Sequence, residues 1–198
     1  VEMLGIEDPF AGLPTLNPKG LRACQYEAIT GLEKSFRNGQ NRALMVLATG
    51  AGKTYTACLA SYRMLAYTKM RRVLFLVDRN NLGKQAEGEF GTFRLTENGD
   101  AFNIIYSVNR LKSAKIPSDS NVVISTIQRL FSLLKGEDIT DTDDDDADNT
   151  TSEVELPENP ILPHDFFDLI IIDECHRSIY GNWRKVLEYF DTAKLIGL

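Results

Sequence analysis

The stretch Leu47-Ala48-Thr49-Gly50-Ala51-Gly52-Lys53-Thr54, which follows the apolar run Ala43–Leu47, constrains this chain more than any other. An apolar strand runs into a turn of small residues, and the turn opens a helix with lysine and threonine in its first turn. Glycines let backbone N–H groups close around phosphate oxygens, and a helix N-terminus adds partial positive charge. The pattern implies a nucleoside triphosphate site lined by Thr49, Gly50, Ala51 and Gly52. Lys53 would reach the β- and γ-phosphates, and the Thr54 hydroxyl would ligate Mg2+. The strict pattern has glycine where Leu47 stands, so a plain glycine-rich turn with a surface lysine remains the alternative at this point.

A second element weighs against that alternative. Asp168-Leu169-Ile170-Ile171-Ile172-Asp173-Glu174-Cys175-His176 is an apolar strand ending in two adjacent carboxylates. Alone, such a strand end is ordinary solvated acid capping a buried run. Paired with a phosphate loop upstream, it suits catalysis: Asp173 holding Mg2+ through water, Glu174 polarising the attacking water.

Apolar spacing predicts helices over 21–36, from Lys53 to about Lys69, and over 80–93, 127–135 and 183–190. It predicts strands over 42–47, 73–77, 102–106, 122–125 and 169–173, and a last one from Lys194. Strands alternating with helices imply an α/β fold, a three-layer α/β/α sandwich on a parallel sheet, with ligands at the carboxyl ends of the strands. Residues 1–20, with Pro9, Gly12, Pro14, Pro18 and Gly20, read as a linker or an arm on the surface, and residues 21–198 as one domain.

With 43% hydrophobic and 25% charged residues, the 198-residue chain can bury a substantial core. No apolar run has the length of a membrane span, and no secretory leader is evident, so no membrane partner is expected. Three unclustered cysteines, Cys24, Cys58 and Cys175, fit a cytoplasmic location better than a disulfide framework. Cys175 and His176 adjoin without any Cys-x-x-Cys, so zinc is not expected. The net charge of −6 misleads: 11 of the 28 acids fall in 136–158, a stretch without bases, leaving 17 acids against 22 bases elsewhere. That acidic insertion is expected to lack stable structure, with a DNA-mimicking or autoinhibitory tail as the alternative. The modestly basic remainder is compatible with a polyanionic partner.

Five segments in order carry a resemblance: Gln25, the loop at 48–54, Val77-Asp78-Arg79, Ser125-Thr126-Ile127-Gln128 and Asp173-Glu174-Cys175-His176. Over residues 21–198 the chain resembles the first RecA-like motor domain of superfamily 2 helicases. More closely, it resembles the restriction (R) subunit of type I restriction–modification enzymes, on Leu76–Leu82, Ile124–Leu130 and Asp173–Gly181. The resemblance implies ATP and Mg2+ as cofactors and ATP-dependent translocation on double-stranded DNA, coupled to cleavage by a nuclease domain outside this chain. It implies three kinds of partner besides DNA: a second RecA-like domain, a modification subunit and a specificity subunit. Gln25 would read the adenine edge, although the family often has tyrosine where Cys24 stands. His176 would couple nucleotide state to the second motor domain. Arg79, Ser125 and Thr126 would hold DNA phosphates, with plain N-capping the alternative for Ser125-Thr126.

Against that family, the chain is expected to be a piece of a longer polypeptide, stopping at Lys194–Leu198 before the third helicase motif. Alone, it is expected to bind ATP weakly and turn it over negligibly. Other possibilities are a different superfamily 2 motor (a repair helicase or a type III restriction subunit) and, from another class, a non-catalytic nucleotide switch. Intact Lys53, Asp173 and Glu174 argue against the switch.

Overall fold

A computed structural model describes residues 7–95, 97–137, 155–177 and 181–198. Among these residues the helices are α1 (Ala23–Arg37), α2 (Lys53–Tyr67), α3 (Asn80–Thr92), α4 (Phe102–Ile105), α5 (Ile127–Lys135) and α6 (Gly181–Tyr189). The strands are β1 (Arg42–Leu44), β2 (Val73–Val77), β3 (Val108–Arg110), β4 (Val122–Thr126), β5 (Leu169–Ile172) and β6 (Lys194–Gly197), and they form one sheet in the order β1-β6-β5-β2-β4-β3. Every pairing is parallel. A parallel sheet needs cover on both faces, and the central strands accordingly read as unbroken apolar runs.

Side chains alternate across each strand and feed two separate cores. Val73, Phe75 and Val77 of β2, with Ile124 and Ile171, pack against Ile29, Phe36, Met64 and Phe90 from α1, α2 and α3. Leu74 and Leu76, with Val123, Ile170 and Ile172, pack on the other face against Leu130, Leu134, Val186 and Phe190. The result is the three-layer α/β/α sandwich expected, on a fully parallel sheet. No helix among the described residues is long and apolar enough to cross a membrane.

Three expectations change. The segment 102–106 forms no strand: its first four residues are α4, and strand pairing begins at Val108. Phe102 and Tyr106, four apart, stack with ring centroids 5.0 Å apart, while Ile104 and Ile105 stay exposed. The anchoring pair has helical spacing within an apolar run of strand-like composition. Strand 42–47 is shorter than its apolar run. Regular pairing ends at Leu44, the Met45 N–H still donates to Gly197 O at 2.9 Å, and Val46 turns out to solvent on the open edge of the sheet.

The N-terminal segment is more than a surface arm. Phe10, Leu13 and Leu16 are buried in the first core, and Phe10 stacks on Phe36 with centroids 5.8 Å apart. Residues 1–6 lie outside the described residues, as do 138–154 of the acidic insertion. The insertion's described ends belong to the fold: Glu137 pairs with Lys135 at 2.6 Å, Leu156 packs on the second core, and the His164 N–H donates to Glu158 Oε1 at 3.1 Å.

Candidate nucleotide site and the carboxyl edge

Because all six strands run one way, every loop leaving a carboxyl end reaches the same edge of the sheet. Strand register sets the level at which each leaves. Leu44 pairs with Gly197, and Gly197 with Ile172, so these three residues lie in one row. The chain therefore leaves β1 just past that row, with Met45 still bonded to Gly197 O and the phosphate loop following at 48–54, and Asp173 comes one residue after the row on β5. Only β6 stands between them, which separates the two exits by roughly 10 Å, two strand spacings. Gly197 permits the crossing, since a Cβ there would meet Cys175 Sγ at 2.8 Å and Leu44 Cδ1 at 3.2 Å.

α1 holds the loop from behind. The Arg22 guanidinium donates to the Gly50 carbonyl, and Gln25 Nε2 donates to the Ala51 carbonyl at 3.1 Å. Gln25 Oε1 accepts from the Arg22 amide at 3.0 Å, fixing the carboxamide at the start of α1. Across a planar trans peptide, C=O and N–H point in opposite directions. Drawing the Ala51 carbonyl towards α1 thus turns the Gly52 amide away from it, to the side where the first-turn amides of α2 lack intrahelical partners. Gly52 has φ +84°, which favours glycine, and a Cβ on it would lie 2.6 Å from Gln25 Nε2 and push that amide off the Ala51 carbonyl. Lys53 and Thr54 follow, both half-buried, and Thr49 and Gly50 are exposed at the turn.

At the other exit, the Asp173 N–H donates to Leu76 O at 2.9 Å and the Glu174 N–H donates to Asp173 Oδ1 at 3.1 Å. Glu174 is the single non-glycine residue with positive φ among those described, at 56°. That conformation costs about 1–2 kcal/mol for an L-residue, and the Cys175 N–H bond to Leu198 O at 3.2 Å helps to hold it. Strain of this kind gathers at functional sites. Burial, and then the neighbouring Glu174 charge, push the Asp173 carboxyl above its ordinary pKa, while the Glu174 amide and the Lys53 ammonium hold that rise back. Lys53 also opposes the burial-driven rise of the Cys175 thiol. The loop lysine thus lies within electrostatic reach of Asp173 at the strand end. The turned-out Gly52 amide, the first-turn amides of α2, a lysine and a half-buried carboxylate fit a phosphate group carrying a divalent cation, while the Ala51 N–H is taken by Ala48 O at 3.0 Å.

The remaining residues singled out from sequence sit elsewhere on the edge. Exposed His176 places Nδ1 3.4 Å from Glu174 Oε2. Arg79, its side chain 60% exposed, is the residue just before α3, two past the end of β2, and its Nε lies 3.6 Å from Asp78 Oδ2. Ser125 and Thr126 turn inward, 1% and 7% exposed. Ser125 Oγ donates to Thr126 O, and Thr126 Oγ1 accepts from the Arg129 N–H at 3.3 Å, so the threonine caps α5. The first turn of α5 is itself largely buried, with Ile127 2% and Arg129 2% exposed, so neither hydroxyl lies open to a DNA phosphate and the capping alternative holds for Thr126. Ser178, Ile179 and Tyr180 of the resembling motif lie outside the described residues.

Sequence reasoning missed Arg22 as a clamp on the loop and placed Gln25 only as an adenine reader. Gln25 standing three residues after Arg22 at a helix start was the available signal, since that is the capping-box position. Nothing local announced Arg22.

Fold and edge together define a RecA-like, helicase-type nucleotide-binding domain. The chain belongs to the family described as "Type III restriction enzyme, res subunit", which matches residues 18–198. It is 32% identical over 220 residues to the EcoKI type I restriction enzyme endonuclease subunit of Escherichia coli strain K12, covering 98% of this chain and 17% of that one. It is 33% identical over 187 residues to the EcoAI endonuclease subunit of Escherichia coli, covering 91% and 19%. The chain thus spans less than a fifth of the length of these curated relatives. Among solved structures, the UvsW helicase of bacteriophage T4 matches with TM-score 0.56 at 16% identity, over 96% of this chain and 55% of that one. A nuclease-deletion mutant of the Type ISP restriction-modification enzyme LlaGI, in complex with a DNA substrate mimic, matches with TM-score 0.55 at 20% identity, over 91% and 17%. At these identities the structural likeness concerns the fold.

Proposed function

We propose that this chain is the ATP-binding motor domain of the R subunit of a type I restriction enzyme, working in ATP-dependent translocation on double-stranded DNA. The carrying observation is the single neighbourhood shared by Lys53, Asp173 and the glycine loop on the carboxyl edge. Identity of about a third to type I subunits supports the restriction assignment. The family's own description names type III enzymes, which makes a type III subunit the second reading.

In the proposed site, Thr49 to Gly52 cradle the phosphates of ATP with backbone amides, and Lys53 reaches the β- and γ-oxygens. Thr54 and, through water, Asp173 hold Mg2+, which when bound neutralises charge on the transferring phosphoryl group. Glu174 polarises the attacking water. Gln25 offers the adenine its second amide hydrogen. His176, beside Glu174, carries the state of that carboxylate towards a second RecA-like domain. Arg79, exposed after β2, holds DNA backbone without reading sequence, while buried Ser125 and Thr126 shape the turn between β4 and α5. Cleavage, and the modification and specificity subunits, belong to the larger complex, in the cytoplasm.

Two substitutions in the R subunit test this. Lys53→Ala should abolish binding of a fluorescent ATP analogue. Glu174→Gln should retain that binding while lowering DNA-stimulated ATP hydrolysis about 10²–10⁴-fold. ATP binding by the R subunit without DNA-stimulated hydrolysis would refute the motor assignment and favour a nucleotide switch, whereas unchanged turnover in Glu174→Gln would remove Glu174 from its catalytic role.

A further inference from the structure

We propose that the loop after β3, residues 111–117, is a further phosphate-contact element, in which Lys112 and Lys115 hold the backbone of duplex DNA. It rests on the assignment of the carboxyl edge as a DNA track. Register supplies the first argument. β4 pairs with β2 through Thr126 and Val77, and with β3 through Ile124 and Arg110. The Leu111 N–H donates to Ile124 O at 2.8 Å, so the ladder runs one residue past β3. Lys112 follows directly, leaving the sheet from the carboxyl end of β3. Arg79 after β2 and Lys112 after β3 therefore leave the same carboxyl edge on either side of β4, their strands roughly 10 Å apart.

The loop is also fixed in place. Leu111 is buried, and Ala114 and Ile116 pack against the second core. Arg129, 2% exposed on α5, donates Nη1 to the Leu111 carbonyl at 3.0 Å. On the other side, Arg110 reaches α3, with Nε 3.0 Å from Glu87 Oε2 and Nη1 2.9 Å from Asn80 Oδ1. Two arginines thus serve as scaffolding for a loop whose exposed cations are lysines.

Charge supplies the third argument. Lys112, Ser113 and Lys115 are exposed, and neither lysine has a carboxylate within ion-pair distance among the described residues. The loop itself carries no acid; Asp119 follows it and precedes the amino end of β4. The loop also walls a cavity of about 170 Å3 with Asn109, Arg110 and Pro117. Lysine is a compact point charge on a flexible stem, suited to phosphate and unable to read a base bidentately. A translocating surface needs contacts of that kind.

The test is the salt dependence of binding to two unrelated DNA duplexes, measured by fluorescence anisotropy from low salt upward. Each phosphate contact contributes about 0.9 to the slope of log K against log salt. Lys112→Ala/Lys115→Ala should lower the slope by about 2 on both duplexes, with an unchanged thermal unfolding midpoint. Lys34→Ala/Lys69→Ala makes the same charge change towards the amino edge and should leave the slope as it was. An unchanged slope in the loop variant, with a lowered one in Arg79→Ala, overturns the loop proposal and leaves the DNA track standing. An equal fall in both double variants overturns it as a general charge effect. No binding of either duplex by the parent chain overturns the track and the loop together.

Discussion

Asp173 works against the stability of the fold that positions it. Its carboxyl titrates above the ordinary range because burial and Glu174 disfavour the charged form. A carboxyl whose folded pKa is raised binds its proton more tightly folded than unfolded. Stability therefore falls as pH climbs from the ordinary carboxylate range through the raised value, and the penalty persists above it. Asp173→Asn should accordingly raise the thermal midpoint at neutral pH, and the gain should vanish at pH below the ordinary carboxylate range. Calorimetry at the two pH values decides it, and equal midpoints at neutral pH would mean that Lys53 already cancels the penalty. The same substitution should abolish metal-dependent ATP hydrolysis, a trade of stability for function expected at such sites. Glu174, at φ 56°, adds backbone strain to the same corner.

At the scale of elements, caps and register decide what reaches the edge. α5 begins where β4 ends, with Thr126 capping the first turn and Gly136, φ 77°, closing the last. Thr126→Ala should cost about 1 kcal/mol by removing the cap, while Thr126→Ser should recover most of it, both read from urea midpoints at constant slope. A loss in Thr126→Ser equal to that in Thr126→Ala would show that the methyl group, packed at 7% exposure, matters more than the hydroxyl. α1 plays the corresponding part for the phosphate loop: its grip uses the Gly50 and Ala51 carbonyls, and since the Ala51 N–H donates to Ala48 O at 3.0 Å, it is the Gly52 amide and the first-turn amides of α2 that are turned away from α1.

The whole molecule is tied together across its first face by a buried ion pair. Arg63 of α2 meets Glu33 of α1 through Nε and Nη2, and Nη2 also donates to Pro14 O of the N-terminal segment. Both side chains are 6% exposed. Glu33→Ala leaves the guanidinium buried and unpaired and should cost about 3–5 kcal/mol. Glu33→Gln keeps an acceptor and should cost less, and chemical denaturation compares them. Equal costs would mean that packing rather than charge governs the site. Arg37, whose Nη2 donates to Leu13 O at 3.4 Å, and Lys194, above the rings of Phe10 and Phe36, tie the same segment down.

Much of this was legible along the chain, and for a physical reason. Buried parallel strands must be continuously apolar, so β2 and the helix after β4 were placed at their observed bounds. Glycines at 50 and 52 beside Lys53-Thr54, and two acids after an apolar strand, are local statements about backbone freedom and charge. Pairing partners across the sheet are set by register, which no local stretch encodes. That Lys53 and Asp173 share a neighbourhood, that Gln25 grips a loop carbonyl, and that Phe10, Leu13 and Leu16 belong to the core emerged from packing. The 102–106 segment was misjudged for the same reason: its apolar content suits either element, and the stacking of Phe102 on Tyr106 settled which one forms.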